Sequence, residues 1–144
     1  MKIEKIIVST VVHSTESQEK VFKALKAIFP FEPEIEVRNA MGHYGNPMAY
    51  IESRISNKKK VDEFWRSLIG KLGNQKNILI ETADRRLDED NFFHIRLNKQ
   101  KAYEGSLELT EGSDAIVLRA KIVSYPSKRE NILKNLKKLV DYEC

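Results

Sequence analysis

The chain has 144 residues, 41% hydrophobic and 32% charged, with a formal net charge of +4 and a single cysteine. That length suits one domain, residues 1–144, around one core, and the mixture excludes an intrinsically disordered chain. The lone Cys144 excludes an internal disulfide and a thiolate metal cluster within one chain, so a reducing, cytoplasmic setting is expected.

Met1 to Lys5 leads into a β-branched run too short and polar for a signal peptide or membrane span, so no membrane partner is expected. Ile3 to Val12 reads as a central strand with Ile6, Val8, Thr10 and Val12 on one face. Thr15-Glu16-Ser17-Gln18 has capping-box spacing, and Val21, Phe22, Leu25, Ile28 and Phe29 then hold a helical stripe until Pro30. Ile35 and Val37 alternate with charged residues, and after Gly42-His43-Tyr44-Gly45-Asn46-Pro47 a second alternation runs through Ala49, Ile51, Ser53 and Ile55, which predicts a β-hairpin. Asn57 is placed to cap a helix whose stripe is Val61, Phe64, Trp65, Leu68, Ile69 and Leu72, with Gly73 at its stop.

Residues 75–83 fit one or two helical turns, although Ile78-Leu79-Ile80 leaves a strand open. Asp84 to Asn91 reads as a polar connection, and Phe93, Ile95 and Leu97 then form one face of a strand, opposite Phe92, His94 and Arg96. A short strand is expected around Leu107 and Leu109. A longer one follows from Ala115 to Ser124, with Ile116, Leu118, Ala120 and Ile122 inward and Val117, Arg119, Lys121 and Val123 outward. Ser127-Lys128-Arg129-Glu130 is a second capping box before the stripe Ile132, Leu133, Leu136, Leu139 and Val140. The expected fold class is α+β, a largely antiparallel sheet covered on one face by about three helices.

Basic charge is uneven: residues 54–76 hold seven Lys or Arg against two acids, and residues 119–144 seven against three. The most informative stretch is Phe92 to Gly105, where an alternating strand runs into Lys99, Gln100, Lys101 and Tyr103, a mixture of cations, amide and ring that suits a polyanion. If the two strands are neighbours, Arg119 and Lys121 extend the Phe92, His94 and Arg96 row into a ridge of charge and rings; otherwise that face is simply wet. Lys58, Lys59 and Lys60 occupy the first turn of a helix, where cations cost roughly 0.3 kcal/mol or more each. Either a phosphate compensates or the lysines are a solvated surface.

Gly70-Lys71-Leu72-Gly73 matches the G-x-x-G clamp of KH domains, but the apolar period runs through Gly70, so an ordinary helix end is the favoured reading. His13, His43 and His94 fall in separate elements with no local ligand pair, which argues against a zinc site. The acids Asp84, Asp88, Glu89 and Asp90 lack EF-hand spacing, and no nucleophile elbow, P-loop or dinucleotide fingerprint is present. No catalytic residue, metal or cofactor is expected.

Four blocks carry a resemblance. They are Val11-Val12-His13-Ser14-Thr15-Glu16 leading to Lys20-Val21, Gly42 to Pro47, Leu97-Asn98-Lys99-Gln100-Lys101-Ala102-Tyr103-Glu104-Gly105, and Ser124-Tyr125-Pro126-Ser127-Lys128-Arg129-Glu130. In order and spacing they resemble a family of small archaeal proteins described as RNA-binding and as exosome-associated subunits. The resemblance implies a fold like large-subunit ribosomal protein five, an RNA partner, exosome or ribosomal proteins as further partners, homodimers, and no enzymatic activity. Asn98 stands where the family usually has Asp, and Lys101 where Ala is usual, which adds positive charge.

The sequence therefore points to a non-enzymatic protein that contacts structured RNA mainly through phosphate and sugar. Arg96, Lys99, Lys101, Arg119 and Lys121 are the expected backbone contacts, with Gln100 hydrogen bonding, Tyr103 stacking, and Lys58, Lys59 and Lys60 holding a second phosphate path. The alternative is a protein-interaction subunit or homodimeric scaffold without direct RNA contact.

Overall fold

The computed structural model describes residues 3–42 and 45–141, so His43, Tyr44 and Cys144 lie outside the described residues. Strand β1 (Ile3–Val12) is central, with a strand paired on each side: Ile6 and Val8 are fully buried beneath helices, and Ile7 and Ser9 on the opposite face are buried among the side chains of the neighbouring strands. Around it, β2 (Glu36–Met41), β3 (Pro47–Ile55), β4 (Phe92–Asn98) and β5 (Ala115–Ile122) form a five-stranded sheet in the order β2-β3-β1-β5-β4. Every pairing is antiparallel. This is the α+β arrangement expected.

The helices α1 (Gln18–Ala27), α2 (Lys58–Leu72) and α6 (Arg129–Val140) send their apolar stripes into one core with the inward residues of the strands. Three short helices, α3 (Lys76–Glu81), α4 (Ala83–Arg86) and α5 (Lys99–Tyr103), contribute Leu79, Ala83 and Ala102 to that core. Trp65 Nε1 donates to the Leu139 carbonyl at 3.0 Å, tying α2 to α6. All helices thus share one face, and the other face of the sheet is left open.

Several local expectations change. Ser17, not Thr15, caps α1, accepting from the Lys20 amide, because Glu16 is used in a turn with His13. Helix α6 starts at Arg129 with no side-chain cap, so the Ser127 capping box does not form; Arg129 instead donates to the Asp84 carboxylate and the Asp84 and Leu87 carbonyls. Residues 76–81 are helical rather than strand, since Leu79 enters the core while Ile78 is exposed. Part of the polar connection is also helical: α4 places Arg86 where its guanidinium donates to Thr82 Oγ1 and the His94 carbonyl. The expected strand near Leu107 reduces to one bridge between Leu97 and Leu109, pinned by Gln75, which donates to the Leu107 carbonyl at 2.9 Å and accepts from the Leu109 amide at 2.8 Å.

The G-x-x-G resolves as a helix end, with Gly70 inside α2 and Gly73 as its cap at φ 58° and ψ −128°. No heavy atom lies within 4 Å of the position a Cβ would take at Gly73, so an added methyl group meets only backbone strain. Gly73→Ala is expected to cost about 1–2 kcal/mol, read as a lower urea midpoint with an unchanged m-value.

Candidate nucleic-acid interface

Alternation along the strands sends every second side chain to the open face, and the register decides which of them meet. Phe92 pairs with Lys121, His94 with Arg119 and Arg96 with Val117, while Lys5 pairs with Lys121 and Ile7 with Arg119. The ridge foreseen from the sequence therefore forms, and β1 widens it. Around the half-buried Phe92 ring stand Lys121 at 5.0 Å, Arg119 at 5.7 Å and Lys5 at 5.8 Å from its centroid, three cations from two neighbouring strands. Lys5 and Ile7 are absent from the sequence candidates, although the alternation that turns Ile6 and Val8 inward turns these two outward.

Arg96 is oriented by donating to the Gly112 and Ser113 carbonyls at 3.0 and 2.8 Å, and Lys121 donates to the Asp90 carbonyl. Neutral acceptors of this kind aim a cation without cancelling its charge. His94 bonds Asp88 at 2.8 Å. Burial pushes the Asp88 carboxyl up, but the His94 bond and the Phe92 and Asp90 amides outweigh it and hold it below the usual aspartate range.

The β2–β3 half of the same face is balanced instead. Glu52, with a side chain only 4% exposed, accepts from Tyr50 at 2.7 Å and from Arg54, and lies 3.7 Å from Arg38, whose guanidinium sits 4.7 Å above the Tyr50 ring. Burial raises the Glu52 carboxyl, yet the bonds from Tyr50 and Arg54 and the two arginine charges bring it below its ordinary value. Cationic character is thus concentrated over β1, β5 and β4.

The remaining sequence candidates divide. Asn98 caps α5 through its Oδ1, which accepts from the Lys101 amide at 2.9 Å, so the basic tail is a helical turn packed beside α1 rather than an extension of the strand. Lys99 is turned inward, its side chain 10% exposed and its ammonium donating to the Val11 carbonyl, both Glu16 oxygens at 3.1 and 3.3 Å, and Asp114 at 2.7 Å. Gln100 donates to Glu104, Lys101 lies 4.0 Å from the same carboxylate, and Tyr103 lies beneath Lys23 at 4.6 Å and Lys20 at 5.8 Å. Lys99, Gln100 and Tyr103, with Glu16, Ser17 and Lys20, line a hollow of about 190 Å³ on the helical side, and Lys101 lies outside it. Lys58, Lys59 and Lys60 are exposed at the start of α2, also in the helical layer, with Lys60 5.5 Å over the Phe31 ring.

His13, Glu16 and Asp114 bring ligand atoms within 4.8 Å of one another, a spacing that suits a metal. The Lys99 ammonium already supplies the cation between Glu16 and Asp114, and His13 Nε2 lies 3.2 Å from Asp114. The cluster is an internal lock joining the end of β1, the turn before α1, the start of α5 and the loop before β5.

A family pattern described as RNA binding matches residues 5–122, and the chain belongs to this RNA-binding family. It is 34% identical to the RNA-binding protein PAB1135 of Pyrococcus abyssi, the match covering 99% of this chain and 97% of that protein. Among solved structures it is similar to protein AF2318 of Archaeglobus fulgidus, with 47% identity, a TM-score of 0.91 and coverage of 96% and 99%. Mth689 of Methanothermobacter thermautotrophicus gives 32% identity and a TM-score of 0.80, covering 96% and 98%. No helix among the described residues is long and apolar enough to cross a membrane.

Burial raises the Asp114 carboxyl, but the Lys99 bond and charge, followed by those of His13, leave it below the ordinary aspartate value. A folded-state pKa below the unfolded one stabilises at pH above the unfolded value, and that stabilisation is lost as pH falls through the folded value. Asp114→Asn is therefore expected to be less stable than the parent at neutral pH, with the gap closing below about pH 4. Urea midpoints at neutral and acid pH check this; a pH-independent gap would refute the charged lock.

Proposed function

We propose that the open sheet face over β1, β5 and β4 binds structured RNA mainly through phosphate and sugar, without catalysis. The observation that carries this is the Phe92 ring set among Lys5, Arg119 and Lys121, with Arg96 farther along β4 on the same face, which the helices leave uncovered. Ammonium and guanidinium groups engage phosphates, and a ring among them offers a stacking surface for an unpaired base. The family membership and the RNA-binding relative support the same ligand. Of the cations expected from the sequence, Arg96, Arg119 and Lys121 belong to this face. Lys99 serves the lock, and Lys101, Tyr103 and Lys58 to Lys60 belong to the helical side. The wider setting proposed with this function is RNA processing in an exosome- or ribosome-linked assembly. That setting rests on the family resemblance, as does a likeness of the fold to ribosomal protein five.

If Lys5, Arg96, Arg119 and Lys121 each neutralise one phosphate, the logarithm of RNA affinity should fall with that of salt at a slope of about −3. Arg119→Glu with Lys121→Glu should weaken binding at least about tenfold and flatten that slope, whereas reversing Lys58, Lys59 and Lys60 together should change affinity less than about threefold. Phe92→Ala should weaken binding by about 1–3 kcal/mol on single-stranded or looped RNA. Filter binding or fluorescence anisotropy across a salt series measures all three. Equal losses from the helical-side and sheet-side reversals would place the site elsewhere.

A further inference from the structure

Between β3 and the loop that leads into β5, the open face is hollowed. A space of about 220 Å³ is lined there by Ser9, Val11, His13, Tyr50, Ser113 and Asp114. Alternation turns Ser9 and Val11 toward this face, and the register sets Tyr50 of β3 opposite Val11. Ser9 also pairs with Val117 of β5, which in turn pairs with Arg96 of β4, so the hollow lies two strand spacings, roughly 10 Å, from the strand that carries this cation. Arg96 itself donates to the carbonyl of Ser113, one of the lining residues, at 2.8 Å.

Two groups in the hollow have bonding capacity left over. Ser9 is only 7% exposed, yet its hydroxyl makes no hydrogen bond among the described residues. A hydroxyl buried without a partner is costly, and a ligand that reaches it removes that cost. The Asp114 carboxylate is engaged through one oxygen: Lys99 at 2.7 Å and His13 at 3.2 Å both meet Oδ1, which leaves Oδ2 to accept. The Lys99 ammonium also offsets the carboxylate charge, so a phosphodiester close by is not repelled. Tyr50 and Val11 supply a ring and an apolar surface. The volume is below the roughly 300–1,000 Å³ of sites for drug-sized ligands and suits one planar ring system.

We propose that this hollow takes one unpaired base bearing an exocyclic amino group, from the RNA whose phosphates lie on Arg96, Arg119 and Lys121, and selects it against uracil. The inference rests on the RNA-binding function proposed above and adds base recognition to a grip on the backbone. Adenine, cytosine and guanine each carry an amino donor, which suits the acceptor-only Asp114 Oδ2. The neighbouring position on the same edge of the base is met by the Ser9 hydroxyl, which can donate or accept. Uracil carries carbonyl oxygens in place of the amino group and sets one of them against the carboxylate. Enclosing an unstacked base between apolar and aromatic side chains while its edge is hydrogen-bonded is how single-stranded segments of RNA are read.

Hairpin RNAs of one fixed stem, with loops of cytidine, adenosine, uridine or abasic residues, test this by fluorescence anisotropy. Cytidine and adenosine loops should each bind at least about fivefold more tightly than the uridine loop. Ser9→Val fills the hollow and should bring all three within about twofold of one another, while the affinity for the abasic loop stays unchanged. Ser9→Ala removes the hydroxyl without adding bulk and should reduce the preference at least about twofold; urea midpoints confirm that both variants fold. A parent protein with no preference against uridine, or a preference that survives intact in both Ser9 variants, overturns the base site. Binding to the abasic loop persists in either case if the cationic face holds RNA backbone, whereas failure to bind any hairpin overturns the RNA-binding function and the base site with it.

Discussion

The placement of the Lys99 ammonium is the constraint on which one end of this molecule depends. A cation with one tenth of its side chain exposed needs oxygens around it, and it takes them from β1, from Glu16 and from Asp114, segments distant in sequence. The lock fixes the entry to α1, the direction in which α5 leaves β4, and the loop that delivers β5 beside β1. Arg96 depends on it indirectly, because its two carbonyl partners, Gly112 and Ser113, immediately precede Asp114. A charge that faces inward thus helps to orient one that faces outward.

The open face carries two different electrostatic environments on one sheet. Over β2 and β3, Glu36 and Glu52 accompany Arg38 and Arg54, and the arginines are held by carboxylates. Over β1, β5 and β4, the cations are held by carbonyls and by the Phe92 ring, so their charge stays available to a ligand. Net charge alone would not have distinguished these halves, since +4 spread over the chain is modest.

The fold was largely legible because hydrophobic period is a local signal. The stripes at Val61 to Leu72 and at Ile116 to Ile122 are buried as their spacing requires, and Asn57 caps α2 through its side chain. Which of several hydroxyl or amide residues caps a helix was less legible: Thr15 lost to Ser17 because Glu16 was drawn into the lock. The candidate cationic face was legible only where strand parity applied, at Arg96, Arg119 and Lys121. Lys99 follows directly after the strand, and no spacing rule shows that the Asn98 cap turns the chain so that this lysine points at acids from two other segments. Long-range electrostatic partners of this kind become readable only when the tertiary fold is known.

The Gln75 side chain, which fastens Leu107 and Leu109 beside β4, also sets an upper bound on growth. A sheet open at both margins can add copies without end, as a fibre does, whereas one closed at a margin has a single place left to pair. Gln75 holds in place the segment whose backbone bonds to Arg96 and Asn98 leave the outer margin of β4 covered.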